Sequence, residues 1–179
     1  GAELRILDEA GRILPAGEVG EIFTRFAELP DFTYHNRPDE RARIDRDGFI
    51  TSGDVGYLDA DGYLFLCDRK RDMVISGGVN IYPAEIENAL IGMEGVRDCA
   101  VFGVPDDEFG ERLFACIEQE PNAVLSSAAV QEFLRGKLAN FKVPKDMQFM
   151  DAMPREATGK IFKRKLRDLY TEGKLQAIA

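Results

Sequence analysis

Tryptophan is absent from the 179 residues, histidine occurs once, at His35, and cysteine three times, at positions 67, 99 and 116. A single histidine would leave any His-centred triad resting on the polar stretch Thr33-Tyr34-His35-Asn36-Arg37-Pro38, where an exposed loop residue is the simpler reading. The cysteines are odd in number, widely separated and in no CxxC pair, so neither a disulfide framework nor a structural zinc site is expected. A reduced, cytoplasmic protein without structural zinc fits this usage. Long apolar runs are also missing. The stretch from Cys99 to Val104 is far shorter than the roughly 18 residues that signal a membrane span, and no transmembrane segment is expected. The opening Gly1-Ala2-Glu3-Leu4-Arg5-Ile6 contains no basic and apolar signal segment, so secretion is not expected either. Positive charge is scarce: 23 basic residues face 32 acidic ones for a net charge of -9, which disfavours a nucleic-acid partner.

What is present suits a globular chain, with 45% hydrophobic residues and enough length for one ordinary domain or a small domain plus part of another. From residue 1 to about 68, short apolar runs alternate with turn signals: Leu4-Arg5-Ile6-Leu7, Glu21-Ile22-Phe23-Thr24 and Tyr63-Leu64-Phe65-Leu66 read as strands. Asp8-Glu9-Ala10-Gly11, Asp45-Arg46-Asp47-Gly48 and Asp59-Ala60-Asp61-Gly62 read as the turns between them. The last of these also suggests a calcium loop, but its flanks are strand-like and the distant bidentate Glu of an EF-hand is missing. After Pro83 the period changes. Ile86, Ala89, Leu90 and Met93 recur at helical spacing over about 83 to 93, and Ser126 and Ser127 can cap a second helix with Val130, Phe133, Leu134, Leu138 and Phe141 on one face. Strands are expected at Cys99–Val104, Leu113–Ile117 and Asp146–Met150, and a last helix over about Ile161–Tyr170. The order α-β-β-α-β-α beyond residue 72 predicts a small, three-stranded sheet covered by helices.

Four segments invite a chemical reading: Thr51-Ser52-Gly53-Asp54, Asp68-Arg69-Lys70-Arg71-Asp72, Ser76-Gly77-Gly78, and Pro154-Arg155-Glu156-Ala157-Thr158-Gly159-Lys160. Asp54, just after a glycine at a strand end, can accept hydrogen bonds from a ribose diol, although an ordinary turn aspartate looks the same. Ser76-Gly77-Gly78 strips side-chain bulk from the backbone, either for a narrow ligand or for a simple turn. Gly159-Lys160 fails as a Walker phosphate loop, since Pro154 and Ile161 stand where Gly and Ser or Thr are required. Lys160 is nevertheless followed by Lys163, Arg164, Lys165 and Arg167, a positive cluster in an acidic chain that suits a polyanion, or simply a solvated helix face.

These segments stand in one order with Gly17-Glu18-Val19-Gly20-Glu21-Ile22, with Thr51 to Tyr57, and with the unbroken run from Asp68 to Glu87. In that order the chain resembles, over practically its whole length, the adenylate-forming superfamily of acyl-CoA synthetases, nonribosomal-peptide adenylation domains and firefly luciferase. The resemblance implies an α+β chain: residues 1–70 as the β-rich distal subdomain of a large N-terminal adenylation domain, 72–179 as a small C-terminal lid, and a hinge near Arg71. The family more often has Asp or Lys at that hinge position. The resemblance further implies that Asp54 binds the ribose hydroxyls of ATP and Arg69 assists there. Lys160 would contact the substrate carboxylate and the α-phosphate, and Ser76, Gly77 and Gly78 would line the pantetheine passage of coenzyme A. ATP, Mg2+ and coenzyme A are the implied cofactors and a carboxylic acid the substrate. None is expected to bind this chain tightly, because the family's phosphate loop, adenine motif and acyl pocket precede the matched region. The missing N-terminal adenylation domain would therefore be a partner. The expected parent activity is that of an AMP-forming acyl-CoA synthetase. The alternatives are an adenylating enzyme that loads a carrier protein and a noncatalytic lid fragment. By the same resemblance, Lys160 is an acetylation target whose charge the modification would remove.

Overall fold

A computed structural model describes residues 1–175, Pro38 through its backbone only. The chain forms two compact units, Gly1–Arg71 and Asp72–Ala179.

The first unit is a six-stranded antiparallel sheet. Its strands are β1 (Ala2–Leu7), β2 (Gly20–Phe26), β3 (Asp45–Arg46), β4 (Phe49–Ile50), β5 (Asp54–Leu58) and β6 (Leu64–Arg69). The two strands β1 and β2 pair from Ala2↔Phe26 to Leu7↔Glu21, as their apolar runs predict, although both extend further than the runs themselves. The Asp/Gly turns form as expected: Asp47 and Gly48 take φ 54° and 80° between β3 and β4, the left-handed conformation that a two-residue hairpin requires. At Asp59-Ala60-Asp61-Gly62, one Asp59 carboxylate oxygen accepts the backbone N–H groups of Asp61 and Tyr63, so the carboxylate serves a hairpin turn. Gly56 is needed for a different reason: a Cβ there would stand 2.1 Å from the Phe65 carbonyl oxygen, at the point where the β5–β6 register shifts. The short helix α1 (Pro38–Arg43) lies in a polar stretch to which the sequence assigns no element. It carries no apolar period to betray it; instead Arg41 ties it down through Asp31 at 2.9 Å and Asp45 at 2.7 Å. His35 lies exposed in the preceding turn.

The second unit is a sheet between two helical layers. Strands β9 (Val96–Asp106) and β10 (Gly110–Gln119) form a long antiparallel ladder, and β11 (Asp146–Met150) runs parallel to β10. A parallel pair needs a crossover, and helix α3 (Ser127–Arg135) supplies it. The near-continuous apolar runs of β9 and β10 follow from burial on both faces. Val101, Leu113, Ala115 and Ile117 pack under Ile86 and Leu90 of α2 (Pro83–Ile91) and under Val130 and Leu134 of α3. Ala100, Phe102, Val104, Phe114 and Cys116 face the other way, onto Leu166 of α4 (Lys163–Thr171).

The three expected strands are therefore present, and a short hairpin of β7 (Val74–Ser76) and β8 (Val79–Ile81) joins them through Ser76↔Gly110, making five. Three-residue strands are too short for a period-two signal. Ser126 caps α3, its hydroxyl accepting the Ala129 N–H at 3.2 Å. Phe141, expected on the apolar face of α3, lies instead in a separate 3₁₀ turn, Asn140–Lys142, and is exposed. The last helix starts at Lys163 rather than Ile161, because Ile161 is bridged to Arg155. No helix among the described residues is long and apolar enough to cross a membrane.

Candidate functional site

In the first unit, strand register brings two of the sequence-predicted residues together. Asp54 at the start of β5 faces Arg69 at the end of β6, with Nε of Arg69 3.4 Å from a carboxylate oxygen. The Ser52 hydroxyl donates to the other oxygen at 2.6 Å. The turn around them is fixed by a chain of side-chain bonds. Lys70 Nζ reaches Glu21 at 2.7 Å, Glu21 accepts from the Thr51 hydroxyl at 3.0 Å, and that hydroxyl accepts the Gly53 N–H at 2.9 Å. Ser52, Gly53, Arg69, Lys70 and Arg71 line an open hollow of about 330 Å³. Asp54 is half-buried, and a carboxylate with one donor per oxygen keeps lone pairs for donors from outside, such as a diol. Arg71 lies in the 3₁₀ turn Lys70–Asp72 and is the last residue of the first unit. Among the described residues, no group of three His, Cys, Asp or Glu is arranged to hold a metal ion.

In the second unit, Ser76-Gly77-Gly78 turns the β7–β8 hairpin, with Gly77 at φ 57° and Gly78 at φ 79°. The turn is braced from the β9–β10 corner: Gly77 N–H donates to the Phe109 carbonyl at 2.9 Å, and Ile75 N–H donates to the Glu111 carboxylate at 2.9 Å. The Phe109 ring packs where a Gly77 Cβ would be, 3.1 Å away, whereas nothing lies within 4 Å of a Cβ on Gly78. One side of the hairpin is thus backed and the other open.

Lys160 sits on a second tight loop. Glu156 N–H donates to the Lys160 carbonyl at 2.8 Å, Gly159 N–H donates to the Glu156 carbonyl at 2.9 Å, and Phe162 N–H closes the stem onto Pro154 at 2.8 Å. The lysine is exposed, and its ammonium makes no ion pair or hydrogen bond among the described residues. Two of the four basic residues that follow it differ: Lys163 pairs with Glu87 at 2.8 Å and Arg167 with Asp72 at 3.3 Å. In the cluster noted from sequence, Lys160 therefore keeps its charge available for an anion from outside.

The sequence reading passed over the residues that hold this loop. Arg155 donates to Asp98 on β9 at 2.7 Å, to Glu118 on β10 at 3.2 Å and to the Gly159 carbonyl at 3.2 Å. Glu118 is only 4% exposed and is the charged residue buried among those described. It also accepts the Met153 N–H at 3.0 Å, and the Asp98 bond, aided by the Glu118 bond and against a smaller desolvation effect, raises the pKa of Arg155 above its ordinary value. The one hint was a glutamate directly after the apolar run Leu113–Ile117.

The two loops occupy opposite ends of one ladder. The glycine hairpin is joined at the Asp106↔Gly110 pair and the Lys160 loop at the Asp98↔Glu118 pair, eight register positions away. At 3.3 Å per residue that is about 26 Å.

Cys99, behind the hollow that Lys160 lines, and Cys116 are both buried. Burial pushes both thiols up to about 12. At pH 8 an aromatic disulfide reagent is expected to modify the partly exposed Cys67 and spare these two until the chain is denatured. Below the usual value of 9.0 both states keep the proton; above it the unfolded chain ionises first, so stability falls as pH climbs from there toward 12.

Residues 85–160 match the family model described as the AMP-binding enzyme C-terminal domain. A feruloyl-CoA synthase of an Amycolatopsis species is 42% identical over 165 residues, 92% of this chain and 33% of its own length. ScoC, a fatty acid–acyl-carrier-protein ligase of Streptomyces coeruleorubidus, is 41% identical over 171 residues, 95% of this chain and 33% of its own. Among solved structures, ATP-bound MatB from Rhodopseudomonas palustris superposes with a TM-score of 0.88 at 37% identity, over 98% of this chain and 35% of that one. The chain thus spans about a third of the length of the relatives it matches.

Proposed function

The chain belongs to the adenylate-forming superfamily, with an AMP-binding enzyme C-terminal domain at residues 85–160, and on that premise we propose that it is the C-terminal portion of an ATP-dependent, AMP-forming acyl-CoA synthetase. A substrate carboxylate oxygen attacks the α-phosphorus of ATP, the bond to the β-phosphate oxygen breaks, and pyrophosphate leaves. The thiolate of coenzyme A then attacks the carbonyl of the acyl-adenylate; a thioester forms, AMP departs and the thiol proton goes to solvent. Residues 1–70 form the distal β subdomain of the adenylation domain and 72–179 the lid, with Arg71 as the hinge.

The observation that carries this reading is the separation of the two loops along one ladder. A rigid sheet cannot hold both ends, about 26 Å apart, at one reacting centre. Two successive half-reactions at a single site, served in turn by a lid that rotates, account for the spacing. In the first, two anions approach each other, and the unpaired Lys160 ammonium offsets that repulsion at the carboxylate and α-phosphate. Asp54 accepts from the ribose hydroxyls, with Arg69 alongside, and Mg2+ arrives as the complex with ATP. In the second, the open face of Ser76-Gly77-Gly78 passes the pantetheine arm. The pools of ATP and coenzyme A fit a cytoplasmic location.

The longer protein of which this chain forms the C-terminal third should release pyrophosphate and AMP and form a thioester when given ATP, coenzyme A and its carboxylic acid. Absence of carboxylate-dependent pyrophosphate release across aliphatic and aryl acids would contradict the reading. ScoC favours one alternative, transfer to a carrier protein. Replacing free coenzyme A by a phosphopantetheinylated carrier separates the two. The 179-residue chain alone is expected to show no tight ATP binding by calorimetry.

A further inference from the structure

We propose that Arg155 is a positioning residue for Lys160, clamping the lysine loop to the sheet for the adenylation half-reaction; this rests on the role of Lys160 proposed above. Residues 156–160 are closed by their own backbone bonds, and Ala157 and Thr158 at the tip are exposed. Such a loop can keep its shape and still swing on its stem. The Arg155↔Ile161 bridge closes the stem and Ile161 packs against the core beside Leu166, while the polar tie from loop to sheet is one guanidinium whose two arms point different ways. One terminal nitrogen holds the carbonyl of Gly159, the residue before Lys160, and the other holds Asp98 and Glu118 on neighbouring strands. The loop's last peptide before the lysine is therefore referenced directly to β9 and β10.

The chemistry of the partners makes the clamp stiff. Glu118 is buried, and a buried carboxylate requires its partners in place. It accepts from Met153 N–H as well as from Arg155, so the segment entering the loop and the loop itself share one anchor. The guanidinium reaches three acceptors from two nitrogens held in one rigid plane, whereas an ammonium presents its donors from a single point on a flexible stem. Lys160 has a flexible four-carbon stem and no partner of its own among the described residues, so its placement depends on its backbone.

The longer enzyme tests this with Arg155→Gln, Arg155→Lys, Lys160→Ala and the Arg155→Gln/Lys160→Ala double variant. Carboxylate-dependent ATP–pyrophosphate exchange reads the first half-reaction, and conversion of preformed acyl-adenylate reads the second. Arg155→Gln is expected to lower exchange roughly 10- to 100-fold, in kcat more than in KM for ATP, and to leave the second step within about twofold. Arg155→Lys falls between, and the double variant exchanges no more slowly than Lys160→Ala. Parental exchange activity in folded Arg155→Gln, or equal loss of both half-reactions in Arg155→Lys, would overturn the proposal. If Arg155→Gln fails to fold, Arg155→Lys carries the same outcomes. Undiminished adenylation by Lys160→Ala refutes the role of Lys160 itself; a defective Lys160→Ala beside a normal Arg155→Gln refutes only the clamp.

Discussion

Replacing Lys160 with alanine in the longer enzyme is expected to lower acyl-adenylate formation by roughly 10²- to 10³-fold, the usual cost of deleting one preorganised charge contact at a reacting centre. The physical reason lies in the company the lysine lacks. Lys163 and Arg167 are engaged by Glu87 and Asp72, whereas the Lys160 ammonium stands in solvent on a loop closed by the Glu156–Lys160 and Gly159–Glu156 backbone bonds. An exposed, unpaired lysine contributes little to stability, so the variant should melt within a degree or two of the parent. A large kinetic effect with no thermal effect is the expected pair of results. Gln at 160 should behave like Ala, because it keeps the reach and loses the charge.

The glycine hairpin should show the complementary loss. Gly77→Val places a β-branched side chain at φ 57° and against the Phe109 ring, which a Cβ would approach to 3.1 Å. Strain of about 1–3 kcal/mol follows from the backbone alone, and displacement of the turn should slow thioester formation by about 10²-fold. Adenylation should be preserved within about threefold, since the Lys160 loop is anchored at the far end of the ladder. Gly78→Ala is the milder control. Nothing lies within 4 Å of the added methyl, so any selective loss comes from narrowing the open face rather than from a clash with the protein. A Gly78→Ala enzyme that transfers at the parental rate would weaken the assignment of this face to pantetheine.

Much of the second unit was legible because β9 and β10 are long and buried on both faces, which writes continuous apolar runs into the sequence. The ends of α2 and α4 were off by two residues or fewer, at Met93 against Ile91 and at Ile161 against Lys163. What escaped was short or held by polar contacts: the three-residue strands β7 and β8, and the helix α1, which has ion pairs instead of an apolar stripe. Asp54 and Arg69 were each readable as a feature, but their pairing needed the β5–β6 register, including its irregularity beside Gly56. The clamp on the lysine loop was out of reach for the same reason. Arg155 lies 57 residues from Asp98 and 37 from Glu118, and only the antiparallel ladder sets those two carboxylates side by side. Lys160 itself was indistinct by charge and spacing, and it was the ordered motifs upstream that marked it.

The central claim is that one rigid lid serves two half-reactions with opposite ends of a single ladder. Single-turnover conversion of preformed acyl-adenylate and coenzyme A to thioester by the Lys160→Ala enzyme tests it most directly. A rate within about twofold of the parent, in an enzyme whose adenylation has fallen by roughly 10² or more, is the predicted result. A thioester rate that falls as far as the adenylation rate would contradict it.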